Sequence, residues 1–166
     1  IIGCGHIGKD LVPILQAFDC RVLAHDLLDF PDFYARHGVE AVDLDTLLRE
    51  AEIVTVHLPL DGSTRDILSA DRLALMKPHA VLINAARGGL VDEVALREAL
   101  KDGRLGGAAF DVFASEPPED QELLQLPNFL VTPHIGGSSA EAILAMGMAA
   151  IEGLDSAGDP LVVAKS

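Results

Sequence analysis

Three side chains that can bind an anion or exchange a proton each follow a separate apolar segment of the sequence. They are Arg87, Glu116 and His134, which follow segments 80–84, 107–110 and 129–131. If those segments are strands of a doubly wound sheet, ligands bind beyond their carboxyl ends, so we expect the three side chains to converge on one edge. An arginine fork binds two carboxylate oxygens at once, and a histidine gives or takes a proton near neutral pH. A carboxylate beside the histidine favours the imidazolium and holds its tautomer.

Each of the three residues also has an interpretation that involves no function. Arg87 could be a surface cation ahead of two glycines, and Glu116 lies in an acidic run that is typical of a solvated surface. A lone histidine is usually structural. However, Pro117 disfavours the helical conformation at Glu116, and His134 stands between a proline and a glycine pair that lets a ligand approach the backbone. We therefore treat all three as candidate functional residues.

A glycine pattern, G-x-G-x-x-G, is formed by Gly3, Gly5 and Gly8. It follows the apolar pair Ile1-Ile2 and precedes a helical pattern, which is the context of a dinucleotide-binding loop. We expect Gly3 to permit a tight turn, Gly5 to let a pyrophosphate approach, and Gly8 to let helix and strand pack. Asp26 ends the next strand pattern, near the expected spacing of about 20 residues for an acid that binds a ribose 2′-hydroxyl. It would repel a 2′-phosphate, which favours NAD over NADP; the alternative is a solvated loop acid.

Apolar β-branched segments alternate with helical patterns along the chain. This alternation predicts an α/β fold, a doubly wound parallel sheet of the Rossmann type. The predicted strands are 1–2, 21–25, 39–42, 53–57, 80–84, 107–110 and 129–131. The predicted helices are 7–18, 31–37, 44–51, 69–76, 92–101 and 138–154.

Several helix ends carry capping signals. Ser69 and Asp92 are predicted N-caps, and Ser138 with Glu141 three residues later predicts a capping box for the last helix. Pro13 fits the first helix badly, because it cannot donate a hydrogen bond to the carbonyl four residues earlier. We expect the helix to kink or restart there.

Composition narrows the class of protein. The 166 residues include 12 Lys and Arg against 26 Asp and Glu, a net charge of −14 that repels nucleic acid and anionic lipid. The chain is 49% hydrophobic but only 4% aromatic, so we expect an aliphatic core. Cys4 and Cys20 have neither metal nor redox spacing, which predicts no metal site and favours a reducing, cytoplasmic compartment. No apolar run is long enough to span a bilayer.

Five stretches together resemble the nucleotide-binding domain of the D-isomer-specific 2-hydroxyacid dehydrogenases, a family that includes phosphoglycerate, D-lactate and hydroxypyruvate/glyoxylate enzymes. They are 3–8, 56–60, 82–92, 110–113 with 116–117, and 133–137. The resemblance covers almost the whole chain in the family's order. It implies an NAD-dependent enzyme that interconverts a D-2-hydroxy acid and its 2-oxo acid by hydride transfer.

The same resemblance implies roles for single residues. Arg87 would hold the substrate carboxylate and carbonyl, His134 would donate and accept the proton, and Glu116 would be the partner of His134. The cofactor set would be Gly3, Gly5, His6, Ile7 and Gly8 around the pyrophosphate, Asp26 and Leu58 on the adenosine side, and Ala85, Ala86, Arg87, Asp111, His134 and Gly136 towards the nicotinamide.

The family's substrate-binding domain is built from segments that flank this one. We therefore expect 1–157 to be the NAD-binding domain and 158–166 to begin the return to a substrate domain, with a homodimer formed through the NAD-binding domain. The expected partner is a small 2-oxo or 2-hydroxy acid.

Three alternatives stay open at this point. Phosphite- or phosphonate-oxidising relatives keep the same triad, whereas formate dehydrogenases carry glutamine where this chain has Glu116. Corepressors of the C-terminal-binding-protein type also keep the triad and use NAD to control assembly with protein partners. A plain NAD-binding module of another kind would leave the expected convergence of the three side chains unexplained.

Overall fold

A computed structural model describes residues 1–155 of the chain. Contacts divide the chain into two compact units, Ile1–Pro133 and a second unit that begins at His134. The predicted boundary between 157 and 158 lies outside the described residues. The domain bounds of 1–157 and 158–166 therefore stay a prediction.

The first unit contains two parallel sheets. The strands are β1 (Leu23–Ala24), β2 (Glu40–Ala41), β3 (Ile53–Val56), β4 (Val81–Asn84), β5 (Gly107–Phe110) and β6 (Phe129–Val131). Strands β1 and β2 form one sheet, and β3-β4-β5-β6 form the other in that order. Six of the seven predicted strands are present, several of them shorter than expected, and the predicted strand 1–2 is reduced to isolated bridges at Ile2.

Ile2 links the two sheets. It makes parallel bridges to His25 on one side and to Val56 on the other. Its N–H donates to the Thr55 carbonyl at 2.9 Å, and its carbonyl accepts the His57 N–H at 2.8 Å. The strand order is therefore β2-β1-Ile2-β3-β4-β5-β6. All of these strands are parallel, but the chain adds β1 and β2 on one side of Ile2 and β3 to β6 on the other, so the order of addition reverses at Ile2. Ligands bind at such a reversal in a doubly wound sheet.

Seven helices are described. They are α1 (His6–Ala17), α2 (Pro31–His37), α3 (Leu44–Glu50), α4 (Ala70–Leu73), α5 (Glu93–Lys101) and α6 (Gln121–Leu124) in the first unit, and α7 (Ala140–Asp155) in the second. Because crossovers between parallel strands are almost always right-handed, we expect α1 and α2 on one face of the first unit's strands and α3 to α6 on the other. None of the helices in this part of the chain is long and apolar enough to cross a membrane.

Two buried clusters match the two helical faces. The smaller joins α1 and α2 to the early strands and includes Cys4, Val12 and Tyr34. The larger packs α3 to α6 against β3 to β6 and is built mainly from leucine and valine, with Phe110 among its largest fully buried side chains. The predicted aliphatic core is confirmed, and burial of these apolar side chains is the main stabilising contribution to the unit.

The first helix differs from its prediction. Helix α1 runs without interruption across Pro13, so the expected restart is wrong. The Pro13 ring is exposed, and a helix position on the solvent side leaves the unpaired carbonyl one turn earlier accessible to water, which lowers the cost of the missing hydrogen bond.

Capping was predicted correctly for α5 and wrongly for α7. The Asp92 carboxylate accepts the Ala95 N–H at 3.0 Å, as expected for an N-cap. At α7 the cap is Ser139 and not Ser138, because the Ser139 hydroxyl accepts the Ala142 N–H at 3.1 Å. Ser138 belongs to the preceding turn, where its N–H donates to the Ile135 carbonyl at 3.0 Å. The capping box of Ser138 and Glu141 is therefore wrong by one residue.

Two short helices depart from the sequence pattern. Helix α4 ends at Leu73, before the predicted end at 76, because the N–H groups of Leu75 and Met76 bond three residues back in a tighter turn. Ser69 precedes α4 but its side chain makes no capping hydrogen bond. Helix α6 was not predicted, since four residues give no periodic signal; Asp120 caps it by accepting the Leu123 N–H.

Candidate active site

The glycine loop is packed at two of its three glycines. Gly3 has a φ of +91°, and a Cβ on it would lie 2.8 Å from the His57 carbonyl oxygen. A Cβ on Gly8 would lie 2.4 Å from the Gly3 carbonyl oxygen, so α1 packs closely onto the loop. A Cβ on Gly5 would meet no atom within 4 Å. Internal packing thus requires Gly3 and Gly8, while Gly5 borders open space that a pyrophosphate could enter.

The first turn of α1 is suited to an anion. The first intrahelical donor is the Lys9 N–H, which bonds to the Gly5 carbonyl at 3.0 Å. The N–H groups of His6, Ile7 and Gly8 have no acceptor within the helix, and they carry its partial positive charge. The first turn contains no acidic residue that would compete with a phosphate. This end of α1 fits the pyrophosphate of a dinucleotide.

Asp26 is fixed beside the glycine loop. One of its carboxylate oxygens accepts the Cys4 N–H at 2.6 Å, and the other accepts the Leu28 N–H at 2.9 Å. Each oxygen retains a lone pair that could accept a ribose hydroxyl. Leu58 packs next to the same loop, because its Cδ2 would lie 2.9 Å from a Cβ on Gly3. The adenosine-side residues predicted from the sequence therefore border the glycine loop.

Cys4, inside the glycine loop, has a packing role. Its side chain is fully buried beside the Tyr34 hydroxyl. Burial raises the pKa of the Cys4 thiol, so the reactive thiolate is disfavoured. The residue therefore belongs to the core under the loop and not to a redox centre.

A tight loop at the end of β4 carries Arg87. The Asn84 side chain is buried, donates to the Arg87 carbonyl at 2.9 Å and accepts the Ala86 N–H at 3.1 Å. Arg87 and Ala85 are exposed, and the guanidinium donates to the Ala86 carbonyl at 2.6 Å. Asn84 was not among the predicted site residues. The sequence signal that could have identified Asn84 is a polar residue at the last position of an otherwise apolar strand.

The loop after β5 carries Glu116 and touches the Arg87 loop. The Glu116 carboxylate accepts the Phe113 N–H at 3.0 Å. A Cβ on Gly88 would lie 1.8 Å from the Phe113 carbonyl oxygen and 2.5 Å from the Ala114 nitrogen. The two backbones are therefore in direct contact, and no larger residue fits at Gly88. The structure brings the loops of Arg87 and Glu116 together.

Asp111 lies between the ends of three strands. It is largely buried, its N–H donates to the Asn84 carbonyl at 3.0 Å, and its carboxylate accepts the Thr132 hydroxyl at 2.5 Å. These bonds tie the residue after β5 to the ends of β4 and β6. An aspartate anchored at this edge is suited to bind a polar ligand group such as a carboxamide.

His134 and Gly136 belong to the second unit. His134 is exposed and has a φ of +53°, a left-handed conformation that is uncommon for histidine and is found at functional sites. The Ile135 carbonyl between them accepts the Ser138 N–H. The expected convergence of His134 with Arg87 and Glu116 stays a prediction, because the two units are described separately.

The ionisable residues of 1–155 include no group of three or more His, Cys, Asp or Glu that could hold a metal ion.

Comparison with known proteins decides the family. A family model described as the NAD-binding domain of the D-isomer specific 2-hydroxyacid dehydrogenases matches residues 1–136. The chain belongs to this family. It is an NAD-binding domain, and the glycine loop, the α1 N-terminus and the anchored Asp26 are residues that fit NAD.

Individual relatives are dehydrogenases and reductases, in agreement with the family match. Glycerate dehydrogenase of Methylorubrum extorquens is 47% identical over 146 residues, which are 86% of this chain and 44% of the relative. The NAD-complexed D-isomer specific 2-hydroxyacid dehydrogenase of Lactobacillus delbrueckii ssp. bulgaricus has a TM-score of 0.84 at 35% identity, covering 96% of this chain and 53% of that one. A glyoxylate reductase from Paecilomyes thermophila has a TM-score of 0.88 at 33% identity, covering 93% and 47%. The chain thus spans about half the length of these dehydrogenases.

Proposed function

We propose that this domain is the cofactor-binding half of an NAD-dependent oxidoreductase that interconverts a D-2-hydroxy acid and its 2-oxo acid. The observation that carries the proposal is the backbone contact of Gly88 with Phe113 and Ala114, because it sets the Arg87 loop against the Glu116 loop. Both loops lie at the carboxyl ends of the strands, where the glycine loop also lies. The names of the relatives, glycerate dehydrogenase and glyoxylate reductase, support a small acid as substrate.

In the proposed reaction, three side chains have separate roles. When bound, NADH would supply the hydride for reduction at C2 of the 2-oxo acid. Arg87 binds the substrate carboxylate through its guanidinium fork. His134 donates a proton to the carbonyl oxygen, and it removes that proton from the hydroxyl in the reverse direction. Glu116 is the carboxylate partner that favours the protonated imidazole of His134.

The cofactor contacts follow from the loops. The first-turn N–H groups of α1 would hold the pyrophosphate, Asp26 would hold the adenosine ribose, and Asp111 would hold the nicotinamide side. Because a carboxylate at Asp26 repels a 2′-phosphate, we propose that NAD is used in preference to NADP.

The proposed partners, location and oligomeric state rest on the sequence and on the family. The net charge of −14 disfavours nucleic acid and anionic membranes as partners. A cytoplasmic location and a homodimer formed through this domain complete the proposal.

Substitution of the proposed acid tests the function. We expect His134→Ala to lower turnover by about 10²- to 10⁴-fold, because no group then supplies the proton, while NADH binding persists. The measurement is NADH oxidation with a panel of 2-oxo acids, including glyoxylate and hydroxypyruvate, beside NADH affinity from fluorescence titration. Phosphite with NAD⁺ is assayed in parallel.

The matched control is His79→Ala, an exposed histidine at the opposite ends of the strands, whose ring faces Glu52 at 3.8 Å. It should leave turnover unchanged. Wild-type turnover in His134→Ala would exclude the general-acid role.

A further inference from the structure

Glu93 makes a contact that its own helix does not require. It is the first residue of α5, whose N-cap is already provided by Asp92. The Glu93 carboxylate instead reaches the loop after β5 and accepts the Ala114 N–H at 2.7 Å, across 21 residues of sequence. Its side chain therefore ties the start of α5 to the loop that carries Glu116.

Two carboxylates hold successive N–H groups of that loop. Glu116 accepts the Phe113 N–H at 3.0 Å, and Glu93 accepts the neighbouring Ala114 N–H. Gly88 closes against the same two residues from the β4 side. The short segment that orients the Glu116 carboxylate is therefore fixed by its own acid, by Glu93 and by a backbone contact.

The surroundings of Glu93 make a carboxylate costly there. Burial raises the pKa of Glu93, and the nearby carboxylates of Asp120 and Asp66 raise it further, while the Ala114 N–H lowers it. A half-buried acid among other acids is not an arrangement that stability alone favours. Such groups are found where a site depends on them.

We propose that Glu93 is a positioning residue: by holding Ala114 it fixes the loop that orients Glu116, and so sets the proton affinity of the histidine that Glu116 partners. This inference rests on the proposed function. Glu93 touches neither substrate nor cofactor in this role. It acts through the 113–116 loop alone.

Three variants of the protein separate this role from a general effect on folding. Glu93→Ala removes the acceptor, and Glu93→Gln keeps an acceptor oxygen without the charge. Glu98→Ala is the matched control, since Glu98 lies on the same helix and pairs with Arg97. If Glu93→Ala does not fold, Glu93→Asp gives the same test, because it keeps the charge but shortens the reach.

Two measurements are made on each variant. The first is amide hydrogen exchange of residues 112–116, which we expect to be about tenfold faster in Glu93→Ala, because the hydrogen bond that the Ala114 N–H donates is lost. The second is the pH profile of kcat/KM for 2-oxo acid reduction. A displaced Glu116 stabilises the imidazolium less, so the alkaline limb should move to lower pH in Glu93→Ala.

Glu93→Gln and Glu98→Ala should match the wild type in both measurements. Unchanged exchange in Glu93→Ala, an unmoved alkaline limb, or a Glu93→Gln variant as impaired as Glu93→Ala would overturn the inference. If the wild-type protein reduces no 2-oxo acid, the proposed function fails, and the exchange of residues 112–116 alone decides whether Glu93 fixes the loop.

Discussion

Asp26 and Asn84 show how single side chains prepare this site through backbone groups. Both oxygens of the Asp26 carboxylate accept N–H groups from Cys4 and Leu28, so its position is set within the protein itself. Asn84 likewise uses both ends of its amide on the Arg87 loop. Fixing a polar group in advance reduces the cost of ordering it when a ligand binds.

The charge of Asp26 should determine cofactor choice. In Asp26→Asn one acceptor oxygen remains for the loop but the negative charge is lost. We expect NADH affinity to fall by about ten- to a hundredfold, since a charged hydrogen bond is lost, and NADPH affinity to rise as repulsion disappears. Titration of both cofactors measures the ratio. Unchanged NADH/NADPH selectivity would remove Asp26 from the ribose site.

His57 should make stability depend on pH. It follows β3, and its Nε2 lies 3.0 Å from the Thr55 hydroxyl. Burial lowers the pKa of His57 below its ordinary 6.5. Above 6.5 neither the folded nor the unfolded chain protonates this residue. As the pH falls from 6.5 through the folded pKa, the unfolded chain binds the proton first, so the free energy of unfolding decreases.

Urea unfolding at a series of pH values from about 7 to about 5 tests this linkage. The wild type should lose stability over that range, and His57→Asn should lose less. Equal pH slopes for the two proteins would show that His57 titrates alike in the folded and unfolded chains.

Helix α1 combines a proposed pyrophosphate-binding role at its first turn with a residue of low helix propensity further along. Its N-terminus has free N–H groups for a pyrophosphate, and Gly8 allows the close approach to Gly3. Pro13 stands in the middle of the same helix without interrupting it. Nothing in the structure explains the choice of proline at this exposed position.

Pro13→Ala should stabilise the protein. Alanine restores an intrahelical donor and has the best helix propensity, so we expect the free energy of unfolding to rise by about 1–3 kcal/mol. Urea unfolding measures the gain. Asp10→Ala, at an exposed position of the same helix, should change it by less than about 0.7 kcal/mol. No gain from Pro13→Ala would mean that proline is compatible with α1 at no cost.

At the scale of the whole chain, local sequence patterns predicted the strands, the helices and the glycine loop. They did not predict contacts between segments that are distant in the sequence. The alternation of strand and helix patterns predicted the parallel order of the strands, and the glycine motif predicted the tight packing of Gly3 and Gly8. The contact of Glu93 with the Ala114 N–H could not be predicted, because it depends on how α5 and the loop after β5 meet after folding. The contacts of Asn84 are local to its own loop, and their only sequence signal was a polar residue at the end of an apolar strand. His134 was found from its motif alone, and its meeting with Glu116 is still a prediction.

The most informative measurement on the protein is an isotope transfer from NADH that carries deuterium at both positions of the nicotinamide C4. The deuterated cofactor is mixed with a 2-oxo acid other than glyoxylate that the activity panel has shown to be reduced, and the product is examined by NMR and chiral chromatography. Direct hydride transfer at the site of Arg87, Glu116 and His134 predicts a D-2-hydroxy acid with deuterium at C2. A product without deuterium at C2, or one of L configuration, would contradict the proposed function.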